Sequence, residues 1–173
     1  YEEKEQLFLA IHIADPTEHI NINSSLWKDI EEKIVTKYPS NKPPIHMMPK
    51  DIVDRSSLMV NQYGNIKLAI TILTQIDKLT FQPIGKIKLL FTKIKVTKEN
   101  SLSYERAGKL FYSSDNMYIG YRISESLKKN RGDKTKGVIL NEISNSYPKF
   151  DKNTLYLYND TTNERMMKQM IAE

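Results

Sequence analysis

Apolar side chains recur at every second position in three stretches of the chain, at residues 7–13, 65–76 and 84–96. A period of two is typical of a β-strand that buries one face, so we predict three strands. The side chains predicted to point inward from the first two strands are Leu7, Leu9, Ile11, Ile13, Ile66, Leu68, Ile70 and Ile72.

The third stretch changes phase along its length, because it is mainly apolar at odd positions before Thr92 and at even positions after it. A β-bulge would reconcile the two halves, since one extra residue resets the face to which each side chain points. With a bulge, four lysines share one solvent-facing side, and without it they divide into two pairs. These lysines are Lys86, Lys88, Lys93 and Lys95.

Two other segments carry helical signals. Residues 24–38 place apolar side chains at helical spacing behind Ser24, a residue type that caps helix N-termini, and they end before a proline. Residues 160–172 begin with Thr161 and Glu164, which have the spacing of a capping box. We predict one helix in each segment.

Residues 116–123 alternate again, and residues 137–143 form another apolar run. We predict that these two segments pair as an antiparallel β-hairpin, joined by the charged connection at residues 126–138. Gly132 and Gly137 supply turn conformations to this connection.

These elements predict an α+β fold with a single antiparallel, twisted β-sheet, helix 24–38 packed across it and a C-terminal helix. The length of 173 residues is typical of one domain, so we predict a single domain over residues 1–173. Its predicted sections are a strand and helix at 5–38, a proline-rich connection at 39–49, a strand-rich basic section at 64–143 and the C-terminal helix at 160–172.

The net charge of +5 is unevenly distributed along the chain. Residues 64–140 carry 15 basic and 6 acidic side chains, whereas the segments on either side are each more acidic than basic. Such asymmetry indicates an anionic partner, which could present phosphates, lipid headgroups or an acidic protein surface. The predicted polyanion-binding residues are Lys86, Lys88, Lys93, Lys95, Lys128, Lys129, Arg131, Lys134 and Lys136.

No constellation of catalytic side chains is visible in the sequence. His12, His19 and His46 lack the spacing of metal ligands, and there is no cysteine to act as a nucleophile or zinc ligand. Nucleotide-binding and hydrolase motifs are missing as well. We therefore predict that the protein is not an enzyme and has no catalytic residue, metal, cofactor or small-molecule substrate.

Two alternatives to membrane or ribonucleoprotein binding stay open. The first is an RNA-binding module or a metal-free basic ribonuclease-like toxin, because aromatic and basic side chains can supply base stacking and phosphate contacts. The second is a structural or adaptor domain with no specific polyanion ligand, whose lysines merely solvate the surface. The residues that favour the first alternative are Tyr104, Tyr112, Tyr118 and Arg122.

The order of the elements resembles that of rhabdovirus matrix proteins. The stretches that carry this resemblance are LFLAIHI, SSLWKDIEEKIV, GKIKLLFTKIKV, MYIGYRIS and GVILNEIS, and together they span roughly residues 7–145. The resemblance lies in pattern and size, without a diagnostic motif. It implies a non-enzymatic virion-assembly protein that engages an anionic phospholipid membrane or the nucleocapsid and its RNA and associates with itself.

The C-terminal helix offers an apolar face for such self-association, formed by Met167, Met170 and Ile171. The lack of cysteine fits an intracellular, reducing compartment. For a matrix-like protein, this compartment is the host cytoplasm, with binding to the inner face of the membrane and incorporation into the virion.

Overall fold

The computed structural model describes residues 1–39, 42–135, 146–151 and 154–172. Four strands form one sheet in the order β1-β2-β3-β4, and two antiparallel strands, β5 and β6, form a second sheet. The strands are β1 (Glu2–Glu3), β2 (Gln6–Ala14), β3 (Ile66–Ile76), β4 (Pro83–Lys95), β5 (Ser146–Asp151) and β6 (Thr154–Asn159). The α+β class is confirmed, but the prediction of a single sheet is wrong because, among the described strands, β5 and β6 form a sheet separate from the other four.

Five α-helices and two short 3-10 turns lie within the described residues. The helices are α1 (Ser25–Lys33), α2 (Lys50–Ser56), α3 (Tyr104–Leu110), α4 (Asp115–Thr135) and α5 (Thr162–Ala172), and the turns are Thr17–His19 and Phe111–Ser113. The predicted cap of the first helix is confirmed, since Ser24 Oγ accepts a hydrogen bond of 3.1 Å from the Trp27 backbone N–H. No helix in the described ranges is long and apolar enough to span a membrane.

The chain divides into two compact units. Unit 1 contains residues 1–9, 74–87 and 102–173, and unit 2 contains residues 10–73 and 88–101. The single domain predicted over residues 1–173 stays a prediction.

Helix α4 supplies one side of the apolar core of unit 1. Leu7, Ile76 and Ile123 are buried together, and Ile119 and Leu127 pack against them. Because the three α4 residues recur every four positions, they lie along one face of the helix. This packing stabilises α4 as a helix, since most helical stability in proteins comes from burying such a face.

The predicted β-hairpin is therefore wrong. Residues 116–123 lie in α4, and the helix continues through the first part of the 126–138 connection, so Gly132 is helical rather than part of a turn. The alternation was misleading because Ile119 and Ile123 satisfy both a period of two and a helical spacing of four. The proposed partner strand at residues 137–143 lies outside the described residues.

The predicted C-terminal helix and its capping box are confirmed in α5. The Glu164 backbone N–H donates to Thr161 Oγ1 at 3.2 Å, and the Thr161 backbone N–H donates to Glu164 Oε2 at 3.4 Å. The start of α5 packs closely on α3, where Asn163 Nδ2 donates to the Gly108 carbonyl oxygen at 3.1 Å. A methyl group on Gly108 would lie 3.1 Å from the Glu164 backbone nitrogen, so glycine permits this close approach.

Strand β3 buries the opposite face from the one predicted. Lys67, Ala69 and Thr71 are buried, whereas Ile66 is 56% exposed and Leu68 is only half-buried. The prediction failed because alternation identifies the two faces of a strand without identifying which one is covered. The buried polar groups have hydrogen-bond partners, as burial requires.

Those partners connect three strands of unit 2. His12 Nδ1 lies 2.8 Å from Thr71 Oγ1, which lies 2.6 Å from Thr92 Oγ1. Lys67 Nζ donates to Asn61 Oδ1 at 2.9 Å. In β2 the inward prediction is correct for Leu7 but wrong for Ile11 and Ile13, which are 45% and 49% exposed.

Helix α1 is shorter than the predicted helix at residues 24–38. It ends at Lys33, and Ile34 has a φ of 63°, a left-handed conformation that a β-branched residue rarely adopts and that stops the helix. Ile34 and Tyr38, two of the side chains at helical spacing in the predicted helix at residues 24–38, are 73% and 77% exposed. No residue of α1 is fully buried, and its apolar side chains Leu26, Trp27 and Ile30 are half-buried, so the packing of this helix across the sheet stays a prediction.

The α3–α5 contact predicts different responses of two helical glycines to alanine. Alanine gains up to about 1 kcal/mol of helix propensity over glycine. At Gly120 the new methyl group meets the flexible Met170 Sδ at 3.1 Å, so we expect Gly120→Ala to be neutral or stabilising. At Gly108 it meets rigid backbone of α5, so we expect Gly108→Ala to lower the free energy of unfolding by about 1 kcal/mol or more. Urea denaturation of both variants measures the difference, and equal stability would contradict the described packing.

The burial of Lys67 predicts a pH-dependent stability. Burial lowers the pKa of Lys67, so between that pKa and the unfolded value of about 10.4 the unfolded chain binds more protons and stability rises with pH. Lys67→Met removes the buried charge, and Asn61 Oδ1 keeps its hydrogen bond from the Tyr63 backbone N–H at 3.0 Å. We expect the variant to be at least as stable as wild type at pH 7, with a difference that shrinks towards pH 10. Chemical denaturation across this range tests both points, and a less stable variant with unchanged pH dependence would contradict them.

Candidate functional site

The four lysines predicted on β4 all point into solvent. Lys86 lies in unit 1, and Lys88, Lys93 and Lys95 lie in unit 2. Within the described ranges, none of the four has a carboxylate partner within 4.0 Å. Their positive charges are therefore available to a polyanion, although their role as a binding site stays a prediction. So does the bulge near Thr92.

The second group of predicted cations belongs to a helix instead of a loop. Lys128, Lys129 and Arg131 lie in α4, where Lys129 is exposed and the other two are half-buried. Lys134 also falls in α4, but its side chain lies outside the described residues, as does all of Lys136. For the described part of the segment, the prediction that these charges lie on a hairpin loop is wrong, because α4 continues through residues 126–135.

A cation surrounded by aromatic rings lies on α4 of unit 1. The guanidinium carbon of Arg122 is 5.0 Å from the Phe81 ring centroid and 6.0 Å from that of Tyr118. Arg122 Nη1 also donates a hydrogen bond of 3.2 Å to Tyr118 Oη. Tyr118 and Arg122 were both predicted as nucleic-acid contacts, and their i,i+4 spacing on a helix explains why they meet.

The Tyr118 ring is itself held by other aromatic side chains. Phe111 is buried, and its ring packs edge-on against Tyr112, Tyr118 and Tyr121, with centroid distances of 4.9, 6.1 and 5.5 Å. Tyr112 is 80% exposed and Tyr118 is 45% exposed. We call Phe81, Phe111, Tyr112, Tyr118 and Arg122 the Arg122 cluster. Tyr104, the fourth predicted contact, lies in α3, where its ring faces Lys168 Nζ at 5.8 Å.

Phe81 and Phe111 are the members of the Arg122 cluster that the sequence did not predict. Phe81 follows a turn in which Asp77 Oδ1 accepts hydrogen bonds from the backbone N–H groups of Leu79 and Thr80 at 3.1 and 2.7 Å. The hydrogen bonds from Thr80 hold the pKa of the Asp77 carboxyl below its usual value. Asp77 could have indicated a turn, because aspartate favours the start of turns. It determines only the local backbone, however, and does not show which residues the Phe81 ring contacts.

The turn that carries Phe81 is also tied to α4. Ser126 Oγ donates to the Thr80 carbonyl oxygen at 3.0 Å, and Gln82 Nε2 donates to the Ser126 carbonyl oxygen at 3.2 Å. Asn130 Nδ2 donates to Gln82 Oε1. These hydrogen bonds fix the turn against α4, and they thereby hold Phe81 beside Arg122.

Unit 2 contains a cavity of about 270 Å³ beside β3 and β4, lined by both polar and apolar side chains. Asp15 is buried at its wall, and its carboxylate accepts hydrogen bonds from Thr17 N–H and Oγ1 at 3.0 and 2.6 Å. Glu18 and Lys93 also line the cavity, so its charges are mixed. Among the described residues, no group of three or more His, Asp or Glu side chains is arranged to hold a metal ion.

The predicted self-association face is only partly at the surface. Met167 is buried in unit 1, Met170 is half-buried against Gly120, and Ile171 is 66% exposed. Met167 is thus a core residue, as methionines on amphipathic helices commonly are. Self-association itself stays a prediction.

Comparison with known proteins gives one family and several structural relatives. The family model described as the RNB domain matches residues 1–173, and no curated protein sequence matches the chain. Mycoplasma genitalium RNase R in complex with ribose-methylated single-stranded RNA has a TM-score of 0.69 at 16% identity, covering 94% of this chain and 26% of that chain.

Two fungal structures are similar to the same degree. Yeast Ssd1, a pseudonuclease, has a TM-score of 0.67 at 18% identity over 83% of this chain and 17% of that chain. Candida glabrata Dss1 exoribonuclease has a TM-score of 0.67 at 14% identity over 99% of this chain and 25% of that chain. The chain thus spans about a quarter or less of the length of these three proteins.

These findings overturn the main functional prediction. A match to the RNB domain across residues 1–173 replaces the resemblance to rhabdovirus matrix proteins, and with it the predicted role in virion assembly. The prediction that the protein is not an enzyme is also contradicted, by the RNB match together with the similarity to RNase R and to the Dss1 exoribonuclease. Membrane binding stays an untested prediction. Since the RNB model matches the chain over residues 1–173, this chain belongs to the RNB domain family.

Proposed function

We propose that the chain binds RNA and forms part of a ribonuclease of the RNB family. The observation that carries this proposal is the RNB match over residues 1–173. Structures of Mycoplasma genitalium RNase R in complex with single-stranded and double-stranded RNA have the same fold, which supports RNA as the ligand. The first alternative, an RNA-binding or ribonuclease-like protein, thus replaces the prediction of a matrix-like assembly protein.

The charge distribution of the chain supports the same ligand. The excess of basic over acidic side chains falls in residues 64–140, and the β4 lysines in this section have no ion-pair partner among the described residues. An unpaired lysine that approaches a phosphate releases a condensed counterion from the nucleic acid, which makes binding favourable at low salt. Lysines that already pair with carboxylates contribute less to this attraction.

Proteins of this fold differ in nuclease activity. The relatives include both an exoribonuclease, Dss1, and a pseudonuclease, Ssd1. The exposed β4 lysines suit binding, since they supply cations. We therefore assign RNA binding to these lysines and test cleavage independently.

Removal of unpaired lysines should weaken RNA binding and its salt dependence. We expect the triple variant Lys88→Gln, Lys93→Gln, Lys95→Gln to bind single-stranded RNA at least about tenfold more weakly near 50 mM salt. Each lost phosphate contact should reduce the slope of log K against log salt by about 0.7. Fluorescence anisotropy with a labelled RNA across several salt concentrations measures both quantities.

The matched control removes three lysines that are already paired. Lys50, Lys78 and Lys109 form ion pairs with Asp54, Glu2 and Glu105 at 2.5, 2.9 and 2.7 Å. The triple Gln variant at these positions changes the net charge by the same amount, and we expect its RNA affinity to stay near that of wild type. Equal losses in both variants would show that net charge alone governs binding, and no loss in either would contradict the assigned lysines.

Cleavage should depend on a free RNA end. We expect the complete natural protein that contains these 173 residues to shorten linear end-labelled RNA progressively and to leave circular RNA of the same sequence intact. Gel electrophoresis of time points shows whether the products shorten stepwise. Linear RNA that stays intact while it remains bound would contradict the ribonuclease half of the proposal and leave RNA binding in place.

A further inference from the structure

We infer that the Arg122 cluster is a binding site for single-stranded RNA, in which Arg122 binds a backbone phosphate and Tyr112 and Tyr118 stack on unpaired bases. This inference rests on the proposed function, because it names the form of RNA and one of its contact sites. All members of the cluster belong to unit 1.

Arg122 has a charge that is positioned but not neutralised. Its guanidinium is held by the Phe81 and Tyr118 rings and by one hydrogen bond to Tyr118 Oη. In the described part of the chain, no carboxylate lies within 4.0 Å of it. A guanidinium has five N–H donors, so the remaining donors can bind a phosphate in bidentate geometry.

Arg55 in unit 2 has the same kind of aromatic contact with the opposite electrostatic outcome. Its guanidinium carbon lies 4.5 Å from the Tyr63 ring centroid, but its Nε donates to Asp51 Oδ2 at 2.9 Å. Asp51 also accepts a hydrogen bond from Tyr63 Oη, and these two hydrogen bonds lower the pKa of the Asp51 carboxyl. Asp51 therefore stays ionised and neutralises Arg55. The comparison shows that a ring contact alone does not make a phosphate site.

Phe81 and Phe111, the two phenylalanines of the Arg122 cluster, are held in place by neighbouring contacts. Phe81 packs against the core of Leu7, Ile76 and Ile123, and its turn is hydrogen-bonded to α4. Phe111 is almost completely buried and contacts both exposed tyrosine rings. A site whose side chains are already fixed loses less conformational entropy when a ligand binds.

The exposed rings determine which form of RNA fits. Tyr112 is 80% exposed and Tyr118 is 45% exposed, so both can offer ring faces to solvent. Bases in a duplex are stacked on each other, whereas unpaired bases are free to stack on aromatic side chains. A cation alone would bind the phosphates of either form. The combination of cation and exposed rings therefore favours a single strand.

The test compares three variants with wild type on two RNA forms. Fluorescence anisotropy gives the affinity of the full chain for a labelled single-stranded RNA and for a duplex of the same length. We expect Tyr112→Leu to weaken single-strand binding about fivefold or more, because base stacking is worth roughly 1–3 kcal/mol, with duplex binding unchanged. We expect Arg122→Ala to weaken RNA binding about tenfold. Arg122→Lys should restore only part of the affinity, because lysine lacks the planar guanidinium that binds phosphate through two hydrogen bonds.

Arg55→Lys is the matched control, because Arg55 also contacts a ring but is neutralised by Asp51. We expect it to bind both RNA forms as wild type does. Circular dichroism melting of every variant checks that the fold is retained, which the exposure of Tyr112 and Arg122 favours. Inorganic phosphate, added as a competitor at millimolar concentration, tests whether the site recognises phosphate alone.

Each outcome distinguishes the inference from the proposed function. If wild type binds neither RNA form, the proposed function fails before any variant is compared. If wild type binds RNA and the Arg122 and Tyr112 variants bind equally well, the inference is overturned while RNA binding stands. Equal losses of single-strand and duplex binding in Tyr112→Leu, or complete displacement of RNA by millimolar inorganic phosphate, would also overturn it.

Discussion

The packing of α4 onto the buried residues Leu7 and Ile76 is the contact on which the arrangement of unit 1 depends. It determines that the segment after Asp115 is a helix, and it fixes the face that this helix turns inward. Ile76 is the last residue of β3, so the turn that carries Phe81 begins directly beside the same contact. One apolar contact therefore brings the turn and the helix together, and with them Phe81 and Arg122.

Local signals in the sequence were sufficient for most elements. The capping box of α5 and the serine cap of α1 were predictable because each depends on hydrogen bonds between residues three positions apart. Strands β2, β3 and β4 were predictable from their alternation. Their burial was not, because the side of β3 that is covered depends on partners as distant in sequence as His12 and Thr92.

The candidate site was predicted in part. The part that was missed depends, like the burial of β3, on contacts between residues that are distant in the sequence. Tyr118 and Arg122 were identified by residue type, and their contact follows from helical spacing once α4 is known to be a helix. Phe81 lies 41 positions before Arg122 in the sequence, and nothing in the alternation of either segment indicates that they meet. Aromatic rings that hold a cation are therefore visible only after the tertiary contacts are known.

The failed resemblance to matrix proteins has a physical cause as well. It rested on the order of strands and helices, and many α+β proteins share such an order without sharing a function. It also relied on a hairpin over residues 116–143 that the structure replaces, in its described part, with α4. The charge asymmetry was a sounder indicator, because a basic section attracts any polyanion whatever fold carries it.

The backbone of Phe81 is strained at the residue whose ring holds Arg122. Its φ of 56° is a conformation that glycine adopts freely and that costs an ordinary L-residue about 1–2 kcal/mol. Glycine at this position would relieve that strain, but it would also remove a ring that packs against the core of Leu7, Ile76 and Ile123. Deleting a buried aromatic side chain costs up to about 3–5 kcal/mol, which exceeds the strain. The unfavourable backbone of Phe81 is therefore tolerated because one ring serves both the core and Arg122.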